Sequence, residues 1–524
     1  MNTVPHAIPT RPWLESLTAG LLLGLSFPPA DLPVLQFPAF LILFRLALAA
    51  RDWRQYVSWL WPALLTWNLA TTYWLMLATL PGGLAAIAAN SLLMLIPLWF
   101  IRLILLKSPS PWLAALCSGA IWTSYEFAHH NWDLAWPWLT LGNGWSNLPD
   151  LVQYISATGH LAISFWVIAS SVMLWNALQL QERRAFLHAL ALLVLFPGLS
   201  ILAREEWEEQ PSGEIDVVVV QPNIDSYLPN GGYDGVDKIV DILLTLSDSA
   251  RSAETDLIVW PENAIDTTIP RENRFNVRLT DSLRNWQADL ITGAGFMDRY
   301  EESPPPPIVR YGRDGQPYNI YNAALHYRPE RLAGIYKKGK LVPIVERLPF
   351  AEVLQRLDPF SWIDWSSIAG YGKGTAANTF PVGETATPAL VCYDSVFPGW
   401  VRQFVRNGAG FLTIITNDGW WGDTSGHAQH FSYARLRSIE MRQWVVRSAN
   451  NGISGIITPK GRIVARTDYW TRTAFSHTIH PTETPSLFVR YGNWFNWLMV
   501  LTTAASLLFL YRKNSFSSRT EPDE

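Results

Sequence analysis

Cysteine is nearly absent: the 524-residue chain has two, Cys117 in an apolar run and Cys392 in a polar region. That excludes a disulfide framework and leaves Cys392 as the one thiol of the polar part. Surplus positive charge is also missing, with 40 Lys and Arg against 44 Asp and Glu and a net charge of −4. No basic field of the kind that gathers nucleic acid is available, so no nucleic-acid partner is expected. The ten histidines lack metal-ligand spacing; His129-His130 and His427…His430 read as an interfacial pair and a helix face. There is no P-loop or glycine-rich dinucleotide motif, so neither metal nor cofactor is expected. No fixed-period repeat occurs, and the proline run at 304–307 reads as a loop. Charge itself is scarce at the front, where residues 1–203 carry only 8 Lys and Arg and 7 Asp and Glu.

What fills that front is apolar. The chain is 49% hydrophobic with a mean hydropathy of +0.08, between a soluble enzyme and a pure membrane bundle. Its 27 tryptophans suit interfacial belts, where one end of the ring is apolar and the other wet. Runs long enough to approach a bilayer crossing, about 17–25 residues, lie near 13–30, 36–50, 57–79, 84–106, 111–127, 159–180, 185–203 and 492–511. The first reads as a retained anchor, since no small-residue cleavage site follows it. Cations stay on the cytoplasmic side of span ends. With eight spans and the N-terminus inside, Arg11, Arg51, Arg54, Arg102, Lys107, Arg183, Arg184, Arg512 and Lys513 all fall inside, whereas segments 31–35, 80–83 and 128–158 contain no Lys or Arg. The expected organisation is a membrane bundle over 1–203, a polar domain over 204–491 outside the cytoplasm, a last span at 492–511 and an inner tail at 512–524.

The polar part alternates short β-rich runs with helical patterns. Val217–Val220, Leu257–Trp260, Leu290–Thr292, Ala389–Tyr393, Leu412–Thr416 and Ile453–Thr458 read as buried strands, and 234–251, 273–287 and 427–443 as helices. This predicts an α/β layered fold whose strand ends collect polar residues at one rim. Three such places carry chemistry. Glu262 follows an apolar strand stopped by Pro261; Lys337, Lys338 and Lys340 stand beside another; Cys392 ends a third. Singly, each is ordinary: a loop acid, a surface lysine cluster, a small core thiol. Together, a thiol, a carboxylate and an ammonium supply nucleophile, base and charge stabiliser for acyl transfer.

The order Glu262, Lys338, Cys392 resembles the nitrilase superfamily. The likeness extends to Glu346 as a second glutamate and to Thr416-Asn417-Asp418-Gly419-Trp420-Trp421. Joined to a multi-span front and one terminal span, the chain is similar to the apolipoprotein N-acyltransferase family throughout its length. Trp136-Pro137-Trp138-Leu139, Arg435-Leu436-Arg437-Ser438-Ile439-Glu440 and Arg447-Ser448-Ala449-Asn450-Asn451-Gly452 resemble further family motifs. Two departures stand out. Asp394 occupies the family's usual glutamate position, and no tryptophan follows the first strand, where Tyr227 or Tyr233 could substitute.

The resemblance implies an α-β-β-α sandwich beside about eight transmembrane helices, on the periplasmic side of a bacterial inner membrane. It implies Cys392 as nucleophile, Glu262 as base, Lys338 as thiolate and oxyanion stabiliser, and Glu346 in support. Lys337 and Lys340 stay open as alternatives to Lys338. Tyr393, through its backbone N–H, and Asp394 would contact substrate. The donor would be a phospholipid and the acceptor a diacylglyceryl-modified apolipoprotein. In the loop 359–372, Phe360, Trp362 and Trp365 are expected to meet the lipid. Rival readings are a membrane-anchored nitrilase or amidase acting on a C–N substrate, and a scaffold with an inactive domain. Seven spans ahead of the polar domain exceed what an anchor requires, and the spans lack the charges of an ion path. A phosphatase reporter fused after Arg204 or at Asn493 should be active, and one after Arg184 or Arg512 silent; a silent fusion at 204 would overturn this placement.

Overall fold

The computed structural model describes residues 9–300, 304–358 and 362–517. A helix occupies each of the eight apolar runs, but they differ in reach. Pro12–Leu25 and Gln36–Ala49 have 14 residues each, about 21 Å at 1.5 Å per residue and shorter than a bilayer's hydrocarbon core. Among the described residues, four stretches are both long and apolar enough to cross: Leu80–Lys107, Leu161–Leu180, Arg183–Glu205 and Trp494–Arg512. Small residues set the helix approaches. A Cβ on Gly20 would lie 2.4 Å from the Ala63 carbonyl oxygen, so that glycine lets Pro12–Leu25 close on Trp53–Thr72.

The polar part is a four-layer sandwich. One sheet runs in the order 473–479, 215–221, 257–259, 289–299, 317–328, 310–311, with 265–269 beside 289–299 and 331–337 beside 317–328. The other runs 389–391, 412–416, 445–449, 455–457, 463–466. Strand alternation divides the first sheet's side chains. Val217, Val219 and Val259 meet Leu390, Ile414 and Val446 of the second sheet, while Val218, Ile258 and Leu290 pack under helices Val236–Ala250 and Phe275–Trp286. Helices Pro398–Arg406 and Ser425–Met441 cover the second sheet with Val401, Phe404, Phe431 and Ala434. Strands 215–221, 257–259 and 289–299 are mutually parallel, as are 389–391, 412–416 and 445–449. Their carboxyl ends bring Glu262, Cys392 and Asn417 to one rim.

One expectation needs correction. The strand expected over Ala389–Tyr393 stops at Val391, because Asp394 accepts a bond from the Val391 backbone N–H at 3.2 Å and turns the chain into a 3₁₀ segment starting at Cys392. The tryptophans divide between two settings: Trp13, Trp53, Trp112, Trp494 and Trp497 are exposed near helix ends, and others are interior. Trp67, Trp74, Trp122, Trp138, Trp145 and Trp260 are fully buried, and Trp74, Trp138 and Trp421 pack together where helical and sandwich parts meet.

Helix Ser425–Met441 joins the two parts. Leu436 and Ile439 lie in the bundle's core, and Phe431, Ala434 and Met441 lie in the sandwich's. Gln429 satisfies four groups across the junction. Its oxygen accepts from the indoles of Trp138 and Trp74 at 2.7 and 3.2 Å, and its amide donates to the Pro28 and Thr71 carbonyls at 3.0 Å. Buried groups stripped of partners lose their desolvation compensation. Gln429→Leu should therefore destabilise the detergent-solubilised protein by at least about 3 kcal/mol, against about 0.5 kcal/mol or less for exposed Gln403→Leu. Thermal unfolding checks this, and equal melting temperatures would refute the junction's role.

Candidate active site

Glu262 ends the strand Leu257–Val259 through Trp260-Pro261 and is buried. Its Oε1 accepts from Asn322 Nδ2 at 2.7 Å and faces Lys338 Nζ at 3.4 Å, while Oε2 accepts from the Asn417 backbone N–H at 2.9 Å. Lys338 follows strand Arg331–Lys337, is 1% exposed, and donates to Glu346 Oε1 at 2.8 Å. Glu346 also accepts from Asn322 Nδ2 at 2.9 Å and from the Val342 N–H at 2.8 Å. One buried ammonium thus sits between two carboxylates that share an amide donor.

Cys392 opens the turn on the facing sheet with φ of +48°, a left-handed conformation uncommon for a side chain with a Cβ. Such strain at a strand end projects a side chain out of the sheet, as in nucleophile elbows. Asp394 stabilises the turn: its carboxylate accepts from Tyr336 OH at 2.8 Å, from the Lys340 N–H at 2.7 Å and from Val391 N–H. Tyr393 is buried, and its hydroxyl donates to the Ala135 carbonyl at 2.9 Å, tying the turn to the loop before Trp136. Asp394, expected at substrate, is fully buried and engaged with backbone and Tyr336.

The electrostatics follow from burial and pairing. Burial alone would lower the Lys338 ammonium, yet Glu346 and Glu262 hold it well above its ordinary value. Burial raises Glu262, Lys338 opposing and Glu346 reinforcing the shift. Burial and then the Glu262 charge push the Cys392 thiol well above its usual range, with Lys338 pulling it down. The resting thiol is therefore protonated, and an adjacent carboxylate must take its proton when it reacts. Asp394 is raised to about 6 by burial.

The three lysines separate cleanly. Lys337 pairs with Asp298 and lies over the Tyr321 ring; only Lys338 reaches Glu262 and Glu346. The Lys340 ammonium lies over Phe397 instead. Tyr227 donates to the Trp420 carbonyl at 2.8 Å, and Tyr233 accepts from Arg472. Trp362 is exposed, Trp365 is buried and donates to Asp358 at 3.1 Å, and Phe360 lies outside the described residues.

Sequence reasoning missed Asn322, which stands inside the strand Pro317–Arg328 without any motif to mark it. It also read His430 only as part of a helix face. His430 Nδ1 lies 2.9 Å from Asp418 Oδ1, and fully buried Arg447 donates to Asp418 Oδ2 at 2.7 Å. Cys392, Asp418 and His430 place one ligand atom each within 4.8 Å of one another, a spacing a metal could use. Arg447, which also reaches His430 Nδ1 at 3.1 Å, supplies the cluster's positive charge itself. Burial would raise Asp418, but Arg447 and His430 hold its carboxyl well below the usual range.

Glu262, Lys338 and Cys392 line a cavity of about 560 Å³. Its other wall is apolar: Leu75, Ala78, Ala85, Ala86, Ala89 and Leu93, chiefly from the helix Leu80–Leu93. Trp136, Trp138, Trp420 and Trp421 close its sides. The arrangement brings a thiol, a carboxylate and an ammonium into the wall of one largely apolar chamber.

Residues 217–485 match the carbon-nitrogen hydrolase family, and residues 19–173 match the apolipoprotein N-acyltransferase N-terminal domain. The chain is 32% identical over 517 residues to the apolipoprotein N-acyltransferase of Chlorobaculum tepidum, covering 91% of this chain and 94% of that protein. It is 27% identical over 527 residues to the apolipoprotein N-acyltransferase of Geobacter metallireducens, covering 97% of each. Among solved structures, Saccharomyces cerevisiae Nit3, a member of branch 10 of the nitrilase superfamily, is 17% identical with a TM-score of 0.37, covering 52% of this chain and 92% of that one.

The raised Glu262 predicts a pH dependence. With Glu262 in the expected role of base, its ionised form accepts the thiol proton, and acylation of Cys392 by a short soluble ester should rise with pH, through an inflection above the ordinary glutamate value of 4.5. Activity is lost as pH falls through that raised value. Glu262→Gln should remove the inflection along with most of the rate; an unchanged acid limb in this variant would assign it elsewhere.

Proposed function

The chain belongs to the apolipoprotein N-acyltransferase family, and we propose that it moves a fatty acyl group from a phospholipid, through a thioester on Cys392, to the N-terminal amine of a diacylglyceryl-cysteinyl lipoprotein. The observation that carries this reading is the apolar chamber ending at Cys392, whose wall belongs to a helix apolar enough to cross a membrane. A soluble amide or nitrile would have no use for such a wall.

Glu262 takes the Cys392 proton as sulfur attacks the ester carbonyl. Lys338, with the Tyr393 backbone N–H, stabilises the oxyanion. Collapse breaks the ester C–O bond, Glu262 returns the proton, and a lysophospholipid leaves. The lipoprotein amine then attacks the thioester, gives its proton to Glu262, and displaces the thiolate, which is reprotonated. Glu346 orients Lys338, and the tryptophan-lined chamber excludes water while the thioester waits.

The eight helices read as eight crossings, the shorter ones supported by their neighbours, with 1–203 as the bundle, 204–491 as the periplasmic catalytic domain of an inner-membrane protein, 492–511 as the last crossing and 512–524 as the cytoplasmic tail. The exposed Trp362 is suited to meeting the outer leaflet.

Protein purified without lipoprotein acceptor should carry a fatty acyl group on Cys392, removable by neutral hydroxylamine and visible by intact mass. Cys392→Ala should carry none, Cys392→Ser should lose nearly all turnover, and a diacylglyceryl-cysteinyl peptide should discharge the loaded enzyme with one amide formed per thioester lost. Acyl groups on Cys117, or release only as free acid, would defeat the proposal.

A further inference from the structure

Next to the chamber lies a second, smaller recess of about 50 Å³. The two share Ala135 and Pro343 in their walls, so they are separated by little more than one side-chain layer. Trp132, Asp133, Lys340, Arg347, Lys373 and Phe397 line the recess. Three of these are cations, and two of them pair directly with a carboxylate. Arg347 donates to Glu352 at 2.8 Å and to the Tyr371 carbonyl at 2.6 Å, and Lys373 stands 3.9 Å from Asp133.

Lys340 is different. Its ammonium lies 5.0 Å from the centroid of the Phe397 ring and forms no salt bridge among the described residues. Burial, and then the neighbouring charge of Lys373, lower its pKa, with the Asp394 and Asp133 carboxylates opposing them. Asp133 pairs with Lys373 and the Asp394 carboxylate is engaged with backbone N–H groups and Tyr336, so neither bonds the Lys340 ammonium directly. A half-buried ammonium beside another cation is stabilised by an anion that does. Its position is also fixed, because the Lys340 backbone N–H donates to Asp394, the carboxylate that shapes the Cys392 turn. The chain thus presents Lys338 to the reacting end of the chamber and, two residues on, Lys340 to the adjoining recess.

We propose that this recess is the phosphate subsite for the acyl donor: Lys340, with Lys373 at the rim, receives the phosphodiester of the phospholipid whose ester carbonyl lies at Cys392. The inference rests on the acyl-transfer reading above and adds to it how the donor is held. In a glycerophospholipid a few bonds separate the ester carbonyl from the phosphorus, the spacing that two adjoining pockets can accommodate. The phosphate supplies oxygens for charge-assisted bonds to the ammonium groups, while the acyl chain fills the apolar chamber.

The test measures thioester loading of the full-length protein in detergent from two donors with the same acyl chain: phosphatidylethanolamine and a phosphate-free p-nitrophenyl ester. Lys340→Gln should raise KM for the phospholipid about tenfold, the scale of one lost charge-assisted bond, with a much smaller change in kcat. Loading from the phosphate-free ester should fall far less, and Lys340→Arg should recover most of the phospholipid KM. Lys373→Gln should act in the same direction with smaller size. Equal losses on both donors would reduce Lys340 to a support of the fold and overturn the subsite. Inorganic phosphate that inhibits wild-type loading, with the phospholipid KM of Lys340→Gln unchanged, would assign the recess to a free anion and overturn the headgroup assignment. Failure of the wild type to load from either donor would defeat the acyl-transfer reading itself, and the subsite with it.

Discussion

A lysine ammonium that is 1% exposed cannot stand alone, and the site is organised around that constraint. Taking an ammonium out of water costs several kcal/mol after relaxation, on the order estimated for buried ions generally. Lys338 offsets the cost with two carboxylates, Glu346 at 2.8 Å and Glu262 at 3.4 Å. Those carboxylates in turn need donors, which Asn322, Val342 and Asn417 supply. Each of these comes from a different stretch of the chain, so the strand Pro317–Arg328, the segment after Lys338 and the end of strand Leu412–Thr416 must all meet at one point. The second buried network, Asp418 with His430 and Arg447, obeys the same rule on the other side of Cys392.

Chemically, this arrangement keeps charged groups beside an apolar chamber, the ammonium paired with two carboxylates and the carboxylates hydrogen-bonded to neutral donors. The thiol remains protonated at rest because burial and the Glu262 charge outweigh the pull of Lys338. In the proposed reaction that thiol is called on only when Glu262 accepts its proton. A constitutive thiolate there would be expensive to bury and open to oxidation.

The helical and sandwich parts are bound as one body by groups that are polar and buried. Glu440 accepts from the His160 backbone at 2.7 Å and pairs with Arg437 at 2.6 Å, and Arg442 donates to Gln153 at 2.6 Å. With Gln429, these bonds run along one helix and its end. Polar contacts of this kind are specific in register, whereas apolar packing alone would allow sliding. The chamber is walled by both parts, so its shape depends on that registration. Tyr393 extends the link from the nucleophile's turn to Ala135.

Much of this was legible in the residues. Eight apolar runs, the alternation of β-rich and helical patterns, and the spacing of Glu262, Lys338 and Cys392 are local or pairwise properties of the chain, and periodicity or motif order expresses them directly. The helices came within a few residues of their expected bounds, such as Val236–Ala250 for 234–251, because an amphipathic face repeats every turn. The strand Pro317–Arg328 was not legible, since it carries mixed polar residues that become ordered only by pairing on both sides. Asn322 lies in that strand, so its bridge between two glutamates was hidden with it. Asp394 and Lys340 show the same limit. Spacing placed both near the nucleophile, but only the folded turn sends the Asp394 carboxylate to the backbone, and only packing leaves the Lys340 ammonium in a recess of its own. Sequence determines which chemical groups are present and which faces must be buried; the direction of each side chain is decided by contacts between segments far apart in the chain.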